Sequence, residues 1–542
     1  MMANSTENKN NRFKSHPDLS VYVIILLGFL ARLWTASGIF LNPDEALHFR
    51  LANQPSLFLA YKASLTASHP PLLTLVLYFW RLLGTSELWL RMPSVIAGTA
   101  FCWMFYKWLT KAAGKTAGVI GLLFVALLPP IVLLGVEIRQ YALLLAFSAS
   151  ALYHFDEAFS KKSTGRMVVF TLCLYLAVLS HYSAFLFAAA IGIYALFRIV
   201  RERAPLGVTA AWTAGQLGAV AIAFVLYKTH ISKLGVGESR TVLQGWMSEF
   251  FLRHSYFDRA HDNPVVFVLG HTFGVFQYFF GQLAVGDVMG LLFLVGVALL
   301  VREEGSLQER RSSRRLGFFL ALPFAIAAVA SLADIYPYGG TRHIAFLVIP
   351  GMAGISVAIA RFAGTWVRGL AFASVILIAC IALGRPRQPR MERADQSRKN
   401  MSAAMQFVKQ DIHPPDLIFV DYQTDLILGH YLCEQRVISP EAAPANFEQF
   451  SCDGHRVVST DYKSDWMFWA DNFPKDWQQF VQAYNLKPGE TVWIFQTGWG
   501  VALPEDLRKH YGEFRDLPFQ SFGKNIKIFQ MPVGRPMPAT TQ

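Results

Sequence analysis

The sequence contains little charge and few cysteines, and it lacks the common motifs of soluble nucleotide-binding and metal-dependent enzymes. Charged residues make up 16% of the 542 residues and hydrophobic residues 53%, and the mean hydropathy is +0.33. No P-loop, no GxGxxG after a strand, no HExxH and no paired CxxC occurs in the chain. The composition excludes an ordinary soluble globule, and the missing motifs leave no sign of a soluble nucleotide site.

Apolar segments of about 20 residues recur from Val21 to Gly384, and about 20 helical residues cross a bilayer core. The sequence therefore predicts a polytopic α-helical membrane protein. The predicted spans, about eleven, are 21–40, 87–109, 116–135, 140–157, 166–181, 183–198, 207–227, 283–301, 316–333, 343–361 and 366–384. Residues 71–84 are short and residues 264–282 are interrupted by glycine, so both are predicted to be interfacial or re-entrant. Counting them as spans raises the total to about thirteen.

The net charge of +12 comes largely from basic residues in short loops between the predicted spans. They are Lys107, Lys111, Lys115, Lys161, Lys162, Arg166, Arg198, Arg201, Arg203, Arg310, Arg311, Arg314 and Arg315. This is the positive-inside pattern of membrane proteins, so membrane lipids are predicted as partners and nucleic acid is not. The pattern predicts a cytoplasmic N-terminus, a first helix that is retained rather than cleaved as a signal peptide, and an outer location for the loop that follows it.

The composition changes after the last predicted span. Residues 1–384 are predicted to form the membrane domain, residues 385–400 a basic linker, and residues 401–542 an extramembrane α/β domain of ordinary size. An odd number of crossings places this domain outside. Two of the five cysteines, Cys433 and Cys452, lie in it, and they are candidates for a disulfide because an oxidising compartment permits one.

The loop after the first span carries two adjacent carboxylates, Asp44 and Glu45, behind Pro43. One interpretation is that Asp44 caps a helix, because acidic residues suit a helix N-terminus. The other is that one carboxylate is a general base, taking a proton from an acceptor hydroxyl while that hydroxyl attacks a sugar carbon. His48 would share a helix face with Asp44, and His69 lies across the loop. Asp44, His48 and His69 are candidate ligands for a divalent metal, although their spacing matches no tight metal signature.

Further charged and aromatic residues lie at the predicted outer ends of the spans. Arg139, between Glu137 and Tyr141, is either a snorkelling arginine paired with Glu137 or a clamp for a phosphate leaving group. A similar choice between an interfacial residue and a ligand-binding residue applies to Lys62, His69, His181, Arg342 and His343.

Six pieces of the sequence, and a seventh further along, occur in a recognisable order. They are PDEALHF, HPPLLTLVLYFWRLLG, SELWLRMPSVIAG, GKTAGVIGLLFVALLPP, EIRQYALLL and SHYSAFLF, then YGGTRHIAFLVIP. Together they resemble the polytopic glycosyltransferases that use a polyprenyl-phosphate sugar, which include protein O-mannosyltransferases, lipid A aminoarabinose transferases and rhizobial lipopolysaccharide-core transferases. The resemblance is strong from Asn42 to about Arg203, roughly a third of the chain.

This resemblance implies a GT-C type fold, and transfer of a hexosyl or pentosyl unit with inversion at the anomeric carbon. It implies that Asp44 is the catalytic base and that Glu45 is a helper or acceptor-binding residue. The implied donor-phosphate ligands are Arg139, Arg342, His343, Lys62 and His69, and the implied acceptor or supporting residues are His48, Glu137, Tyr141 and His181. Some relatives have a lysine at the place of His69, and a histidine replaces its charge only in part. Beyond the divalent metal considered above, no cofactor is firmly implied.

Two other classes of function are compatible with a polytopic chain. A transporter or flippase lines a pathway near the bilayer midplane with its buried charges, whereas here the charges cluster at the predicted outer side. A non-catalytic assembly protein of the cell envelope is the second alternative. The sugar stays open, and the acceptor is a lipid, a glycan or a protein. The resemblance is to bacterial members, which predicts a bacterial inner membrane with the C-terminal domain in the periplasm.

Overall fold

The apolar part of the chain folds as a bundle of helices. The computed structural model describes residues 19–233, 252, 255–383, 396–414, 416–434, 436–461 and 466–534. The helices of the bundle are α1 (Leu19–Ala36), α2 (Pro43–Ala52), α3 (Leu57–Ser64), α4 (Leu72–Trp80), α5 (Glu87–Ala113), α6 (Lys115–Leu127), α7 (Pro129–Leu134), α8 (Tyr141–Ser160), α9 (Thr164–Ser180), α10 (Ala184–Glu202), α11 (Leu206–Thr229), α12 (Pro264–Phe280), α13 (Leu283–Val301), α14 (Leu307–Leu332), α15 (Val348–Ala363) and α16 (Trp366–Leu383). Among the described residues, eight helical segments are long and apolar enough to cross a membrane. The predicted polytopic α-helical class is confirmed.

The segment predicted as a span over 116–135 is not one continuous helix, because it breaks at Leu128. α6 ends at Leu127 and the short α7 follows from Pro129. Proline has no N–H, so Pro129 and Pro130 leave the carbonyls of Val125 and Ala126 without their helical donors. Arg32 of α1 supplies these donors: its guanidinium donates to both carbonyl oxygens at 3.0 Å. The break therefore gives a buried arginine its acceptors and fixes α1 against α6.

The first part of the chain leaves one end of the bundle and returns to it. At α4, Arg81 follows the helix and donates to the carbonyl of Ala52, at 3.0 Å. Near the start of α5, Arg91 donates to the carbonyls of Ala36 and Ile39, both at 3.0 Å. The short α4 therefore makes no net crossing, and α2 and the start of α5 lie at one end, which we call the site end.

The opposite end of the bundle gathers many of the basic residues. Lys111 and Lys161 both contact the carboxylate of Glu157. Arg198 and Arg315 both contact Glu202. We call this the basic end. The predicted spans 316–333 and 343–361 both correspond to apolar helical segments: α14 starts earlier, at Leu307, and a 3-10 helix, Arg342–Leu347, leads into α15.

A six-stranded sheet forms the core of the C-terminal region. Its strands are β1 (Leu417–Val420), β2 (Phe447–Cys452), β3 (His455–Thr460), β4 (Thr491–Thr497), β5 (Phe519–Ser521) and β6 (Ile526–Pro532), in the order β2-β3-β1-β4-β6-β5. The central strands β3, β1 and β4 are parallel, and the outer pairings are antiparallel. The helices are α17 (Arg398–Asp411), α18 (Tyr422–Leu432), α19 (Phe473–Ala483) and α20 (Leu503–His510). The predicted α/β architecture is confirmed.

The predicted linker 385–400 lies mostly outside the described residues, and its last residues begin α17.

The C-terminal domain is fixed at the site end through α18. The hydroxyl of Tyr431 accepts from the backbone N–H of Leu41 at 2.9 Å and donates to Glu87 at 3.1 Å. Arg50 of α2 forms an ion pair with the buried Asp425 of α18. The catalytic candidates on α2 therefore lie under the domain. Cys433, just after α18, is disulfide-bonded to Cys452, with Cα atoms 5.2 Å apart.

Candidate active site

Helix α2 begins at Pro43, two residues earlier than a helix capped by Asp44 would, and Asp44 is not its cap. Asn42 is the N-cap, and its side-chain oxygen accepts from the N–H of Glu45 at 3.0 Å. The Glu45 carboxylate in turn accepts from the N–H of Asn42 at 3.1 Å, which completes a capping box. The capping interpretation of Asp44 is wrong. Its carboxylate is left for other contacts, on a helix turn that is held still.

The two adjacent carboxylates point to different surroundings. Glu45 is 1% exposed and pairs with the fully buried Arg91, with N–O distances of 2.8 and 2.6 Å. It also accepts from the backbone N–H of Ile138 at 3.1 Å. With the capping bond, both of its oxygens have protein donors. These surroundings suit a structural anchor, so the catalytic or acceptor-binding role predicted for Glu45 has no support in its contacts.

Asp44 lies between two arginines from distant parts of the chain. Arg139, in the turn before α8, approaches one carboxylate oxygen at 2.7 Å. Arg342, at the start of the 3-10 helix before α15, approaches the other at 2.6 Å. The second guanidinium nitrogen of Arg342 is 3.8 Å from Glu137. The structure thus brings together four of the predicted site residues, Asp44, Glu137, Arg139 and Arg342.

The electrostatics of Asp44 follow from this pairing. Burial alone raises the pKa of a carboxyl group. Here the opposing charges of Arg139 and Arg342 are stronger, and they hold the pKa of Asp44 well below its usual value. In this state Asp44 is an ionised carboxylate and a weak base. A strong base at this position requires that another anion share the two arginines.

Three imidazole rings continue the site from Asp44. The rings of His48 and His69 are 5.8 Å apart, and those of His69 and His181 are 5.5 Å apart. Tyr141 follows at 5.1 Å from His181. Burial lowers the pKa of His48 to about 3, helped by the charge of Arg139, and it lowers the pKa of His69 and His181 for the same two reasons. These rings are neutral at physiological pH. The Nδ1 of His181 accepts from the N–H of Ser183 at 3.1 Å, which puts its proton on Nε2.

The site also holds several buried polar atoms for which the described residues supply no hydrogen-bond partner. They are Arg139 Nε, both side-chain heteroatoms of Gln140, the Tyr141 hydroxyl, the Thr341 hydroxyl, both ring nitrogens of His48, and His343 Nδ1. Buried polar groups without partners are rare in folded proteins, because each costs free energy. Their concentration around one cationic pair is typical of a polar, anion-bearing ligand site.

Lys62 is a predicted site residue whose contacts lie away from Asp44 and the two arginines. It lies on α3, exposed, and its amino group is 4.6 Å from the centroid of the Phe58 ring. Within the described ranges, none of its contacts reaches Asp44 or the two arginines. His343 directly follows Arg342 in the chain, and its backbone carbonyl accepts from Tyr336 at 3.1 Å.

The residues predicted as metal ligands do not fit a cation as they stand. Both oxygens of Asp44 face guanidinium groups. Among the described residues, no group of three or more histidine, cysteine, aspartate or glutamate side chains is arranged to hold a metal ion. Two adjacent arginine charges also oppose a cation at this place. The mechanism below uses no metal.

Sequence reasoning missed four residues of the site region. Arg91 anchors Glu45, Asn42 caps α2, and Gln140 and Thr341 add polar atoms beside the arginines. Gln140 is next to Arg139 in the chain and Thr341 is next to Arg342, and both arginines are predicted donor-phosphate ligands. Arg91 had a signal of its own, since an arginine inside an apolar span needs a buried partner.

Comparisons with known proteins bear on the family and the fold of the chain. Residues 68–228 match the family described as dolichyl-phosphate-mannose-protein mannosyltransferase, which is less than half of the chain. No curated protein sequence matches the chain significantly. Among solved structures, ArnT from Cupriavidus metallidurans bound to undecaprenyl phosphate has a TM-score of 0.53 at 11% identity, covering 96% of this chain and 99% of ArnT. The apo form of the same protein has a TM-score of 0.51 at 12% identity, covering 94% and 97%.

A third solved structure is less similar. The oligosaccharyltransferase of Archaeoglobus fulgidus in complex with Zn and sulfate has a TM-score of 0.46 at 12% identity, which is too low to carry an argument. The alignment covers 76% of this chain, and the chain spans 61% of the length of that protein. The two ArnT structures show the fold, and the predicted GT-C type fold class is confirmed. The family match confirms the predicted resemblance to glycosyltransferases that use a lipid-phosphate sugar.

Proposed function

We propose that this chain is an inverting glycosyltransferase that moves a sugar from a polyprenyl-phosphate donor to an acceptor hydroxyl. The observation that carries the proposal is the pair Arg139 and Arg342 on either side of Asp44, together with nearby buried polar atoms that have no hydrogen-bond partner among the described residues. A base and two phosphate ligands within one ion-pair cluster are the parts that such a transfer requires.

The proposed reaction breaks the bond between the anomeric carbon and the donor phosphate oxygen. The acceptor hydroxyl attacks the anomeric carbon from the opposite face, so the configuration inverts. Asp44 takes the hydroxyl proton, and the polyprenyl phosphate leaves with the electron pair. Arg139 and Arg342 stabilise the negative charge that develops on the leaving phosphate, because guanidinium groups bind phosphate oxygens in bidentate geometry.

The resting ion pairs give the reaction an order. Without donor, the arginines neutralise Asp44 and keep it a weak base. A donor phosphate that binds the arginines takes over part of their charge, and the pKa of Asp44 then rises towards the value that general base catalysis needs. Donor binding thereby activates the base, because a donor phosphate then occupies the two arginines.

The alternative functions fit these contacts less well. A transporter needs charged residues along a pathway through the bilayer, but Asp44, Arg139 and Arg342 lie together at the site end, next to the C-terminal domain. A non-catalytic assembly protein has no need of a buried carboxylate held between two arginines. We therefore prefer the glycosyltransferase function to both alternatives.

We also propose the location that the sequence predicts. The site end and the C-terminal domain face the periplasm of a bacterial inner membrane, and the basic end faces the cytoplasm. The positive-inside distribution supports this orientation, since Lys111, Lys161, Arg198 and Arg315 lie at the basic end. The transferred unit is a hexosyl or pentosyl group, and the acceptor is a lipid, a glycan or a protein.

Profiling of lipids and glycans in a deletion strain tests this function. We expect one envelope component to lose a single sugar, and we expect a plasmid copy of the gene to restore it. A copy with Asp44→Asn should not restore it, although the protein accumulates normally. An unchanged glycan profile, with movement of labelled polyprenyl-phosphate sugar across liposomes that contain the purified chain, would establish the transporter instead.

A further inference from the structure

The C-terminal sheet has one edge that lies next to the candidate base. Strand β1 has parallel neighbours on both sides, β3 and β4. The chain reaches β3 after α18, whose Leu426, Ile427 and Leu428 belong to the hydrophobic cluster that the bundle shares with one face of the sheet. It reaches β4 after α19, which packs in a separate core. In open sheets of this kind, ligands bind at the carboxyl ends of the strands where the connections diverge. Here that point is the edge between β1 and β4.

The turn that follows β4 touches helix α2 at this edge. The turn is Gly498-Trp499-Gly500, and both glycines have a positive φ, +114° and +62°. A Cβ atom at 498 would lie 3.0 Å from Cγ of Pro43, the residue before Asp44, and 2.7 Å from Oε1 of Gln423. A Cβ at 500 would lie 2.7 Å from the Trp469 ring. Only glycine permits this close approach, so the turn is built to sit against the start of α2.

A buried amide holds the same turn in place. Gln423, the second residue of α18, is fully buried. Its Nε2 donates to the carbonyl of Trp499 at 2.9 Å, and its Oε1 accepts from the N–H of Trp499 at 3.0 Å. A doubly bonded amide fixes the backbone of one residue, while the indole of Trp499 remains half-buried. Hydrophobic packing alone does not need this arrangement.

A second segment brings two more indoles to the edge. The carboxylate of Asp421, at the end of β1, accepts from the N–H of Phe468 at 2.9 Å and fixes the segment that carries Trp466 and Trp469. Both indoles are half-buried. The ring of Trp466 lies 5.0 Å from that of Tyr422, at 61°. Aromatic side chains thus line the edge of the sheet that adjoins the candidate base.

We propose that this edge, centred on Trp499, binds a saccharide portion of the acceptor and presents its hydroxyl to Asp44. The proposal rests on the proposed glycosyl transfer and names the acceptor class for it. The apolar C–H face of a pyranose stacks on an indole, and rigid aromatic rings bind it at a low cost in conformational entropy. The position argues for the acceptor, since the turn contacts Pro43 from the side of the C-terminal domain, whereas the arginines approach Asp44 from the bundle.

The test uses the purified full chain, a labelled polyprenyl-phosphate sugar, and an envelope extract of the deletion strain divided into saccharide-bearing, peptide and simple lipid fractions. We compare Trp499→Ala and Trp499→Phe with Trp366→Ala, which removes a half-exposed indole from α16, outside the C-terminal domain. Thermal unfolding of each variant, compared with the wild type, checks that the substitution leaves the folded state intact. The readouts are the KM for the accepting fraction and the KM for the donor.

We expect the saccharide-bearing fraction to accept the sugar. Trp499→Ala should raise the KM for this fraction about tenfold, Trp499→Phe should raise it less, and Trp366→Ala should leave it unchanged. The KM for the donor should stay within about twofold in all three. If the wild type transfers sugar and Trp499→Ala has an unchanged acceptor KM, or if only the peptide or simple lipid fraction accepts, this inference fails and the transferase remains. If the wild type transfers to no fraction, both fail.

Discussion

Asp44 and Glu45 are neighbours in the chain and differ in almost everything else. Glu45 has one arginine, two backbone donors and 1% exposure, so its hydrogen-bonding capacity is used within the fold. Asp44 has two arginines, and close by lie buried polar atoms that find no partner in the part of the chain that the structure describes. Residue type alone therefore does not distinguish a structural anchor from a reactive carboxylate. The distinction is whether the polar groups around the carboxylate already have hydrogen-bond partners within the fold.

The largest effect is expected where the anchor is broken. Glu45→Ala leaves the guanidinium of Arg91 buried without its carboxylate, and breaking a buried pair in this way costs about 3–5 kcal/mol. We expect the variant to lose its folded state at growth temperature, as measured by thermal unfolding in detergent. Glu434→Ala, which removes an exposed partner of Lys409, is the control and should change stability by about 1 kcal/mol or less. A stable Glu45→Ala protein would contradict the anchor role.

Removing the disulfide tests how much it stabilises the C-terminal domain, which packs against α2. Cys433 and Cys452 close a loop with a sequence separation of 19 residues. Replacing both by serine should lower the stability of the domain by about 3 kcal/mol and leave the contacts of Asp44 intact. Mass spectrometry without reduction should find the pair bonded in the native protein. Finding both thiols free would end this assignment.

Arg342→Lys probes the reactive side of the comparison. Lysine keeps the charge but loses the fork that binds a phosphate at two oxygens, so the KM for the donor should rise by roughly 10- to 100-fold. The acceptor KM should change little. Arg361→Lys, at an exposed pair with Glu303, is the control and should behave as the wild type. Equal donor KM values for Arg342→Lys and the wild type would remove the phosphate role.

The pH dependence should separate the free and donor-bound states. In the free protein the pKa of Asp44 is well below its usual value, so the carboxylate is ionised between about pH 5 and 8. The kcat/KM for the donor reports this state and should show no acid limb from Asp44 there. With donor bound, the arginine charges are shared and the pKa rises, so kcat should fall as the pH falls. His48 adds no limb, because its pKa is about 3. Identical acid limbs in both profiles would contradict activation by the donor.

Much of the fold followed from composition and periodicity. Long apolar segments predict helices in a membrane, and the change of composition after them predicts a separate α/β domain. The break at Pro129 was harder to place, because its physical reason is long-range: Arg32, 93 and 94 residues away in the chain from its two acceptors, compensates the carbonyls that the prolines leave. No local pattern reveals such a partner.

The sequence alone pointed to the charged residues of the candidate site. It did not point to the residues that position those side chains. Asp44, Arg139 and Arg342 stood out as charged residues at the ends of apolar spans. The anchoring of Glu45 by Arg91 and the presentation of Trp499 by Gln423 depend on contacts between distant segments. Lys62 was chosen for its charge alone, and the structure places it on α3, exposed and next to the Phe58 ring.

The most direct test is a single-turnover assay of sugar transfer by Asp44→Asn, with Glu45→Gln and the wild type at equal amounts of folded protein. The amide keeps the shape of Asp44 and removes the base, so the rate of transfer should fall by about 10²- to 10⁴-fold. Donor binding should be at least as tight as in the wild type, because the arginines no longer pair with a carboxylate. A transfer rate equal to that of the wild type would contradict the assignment of Asp44 as the base.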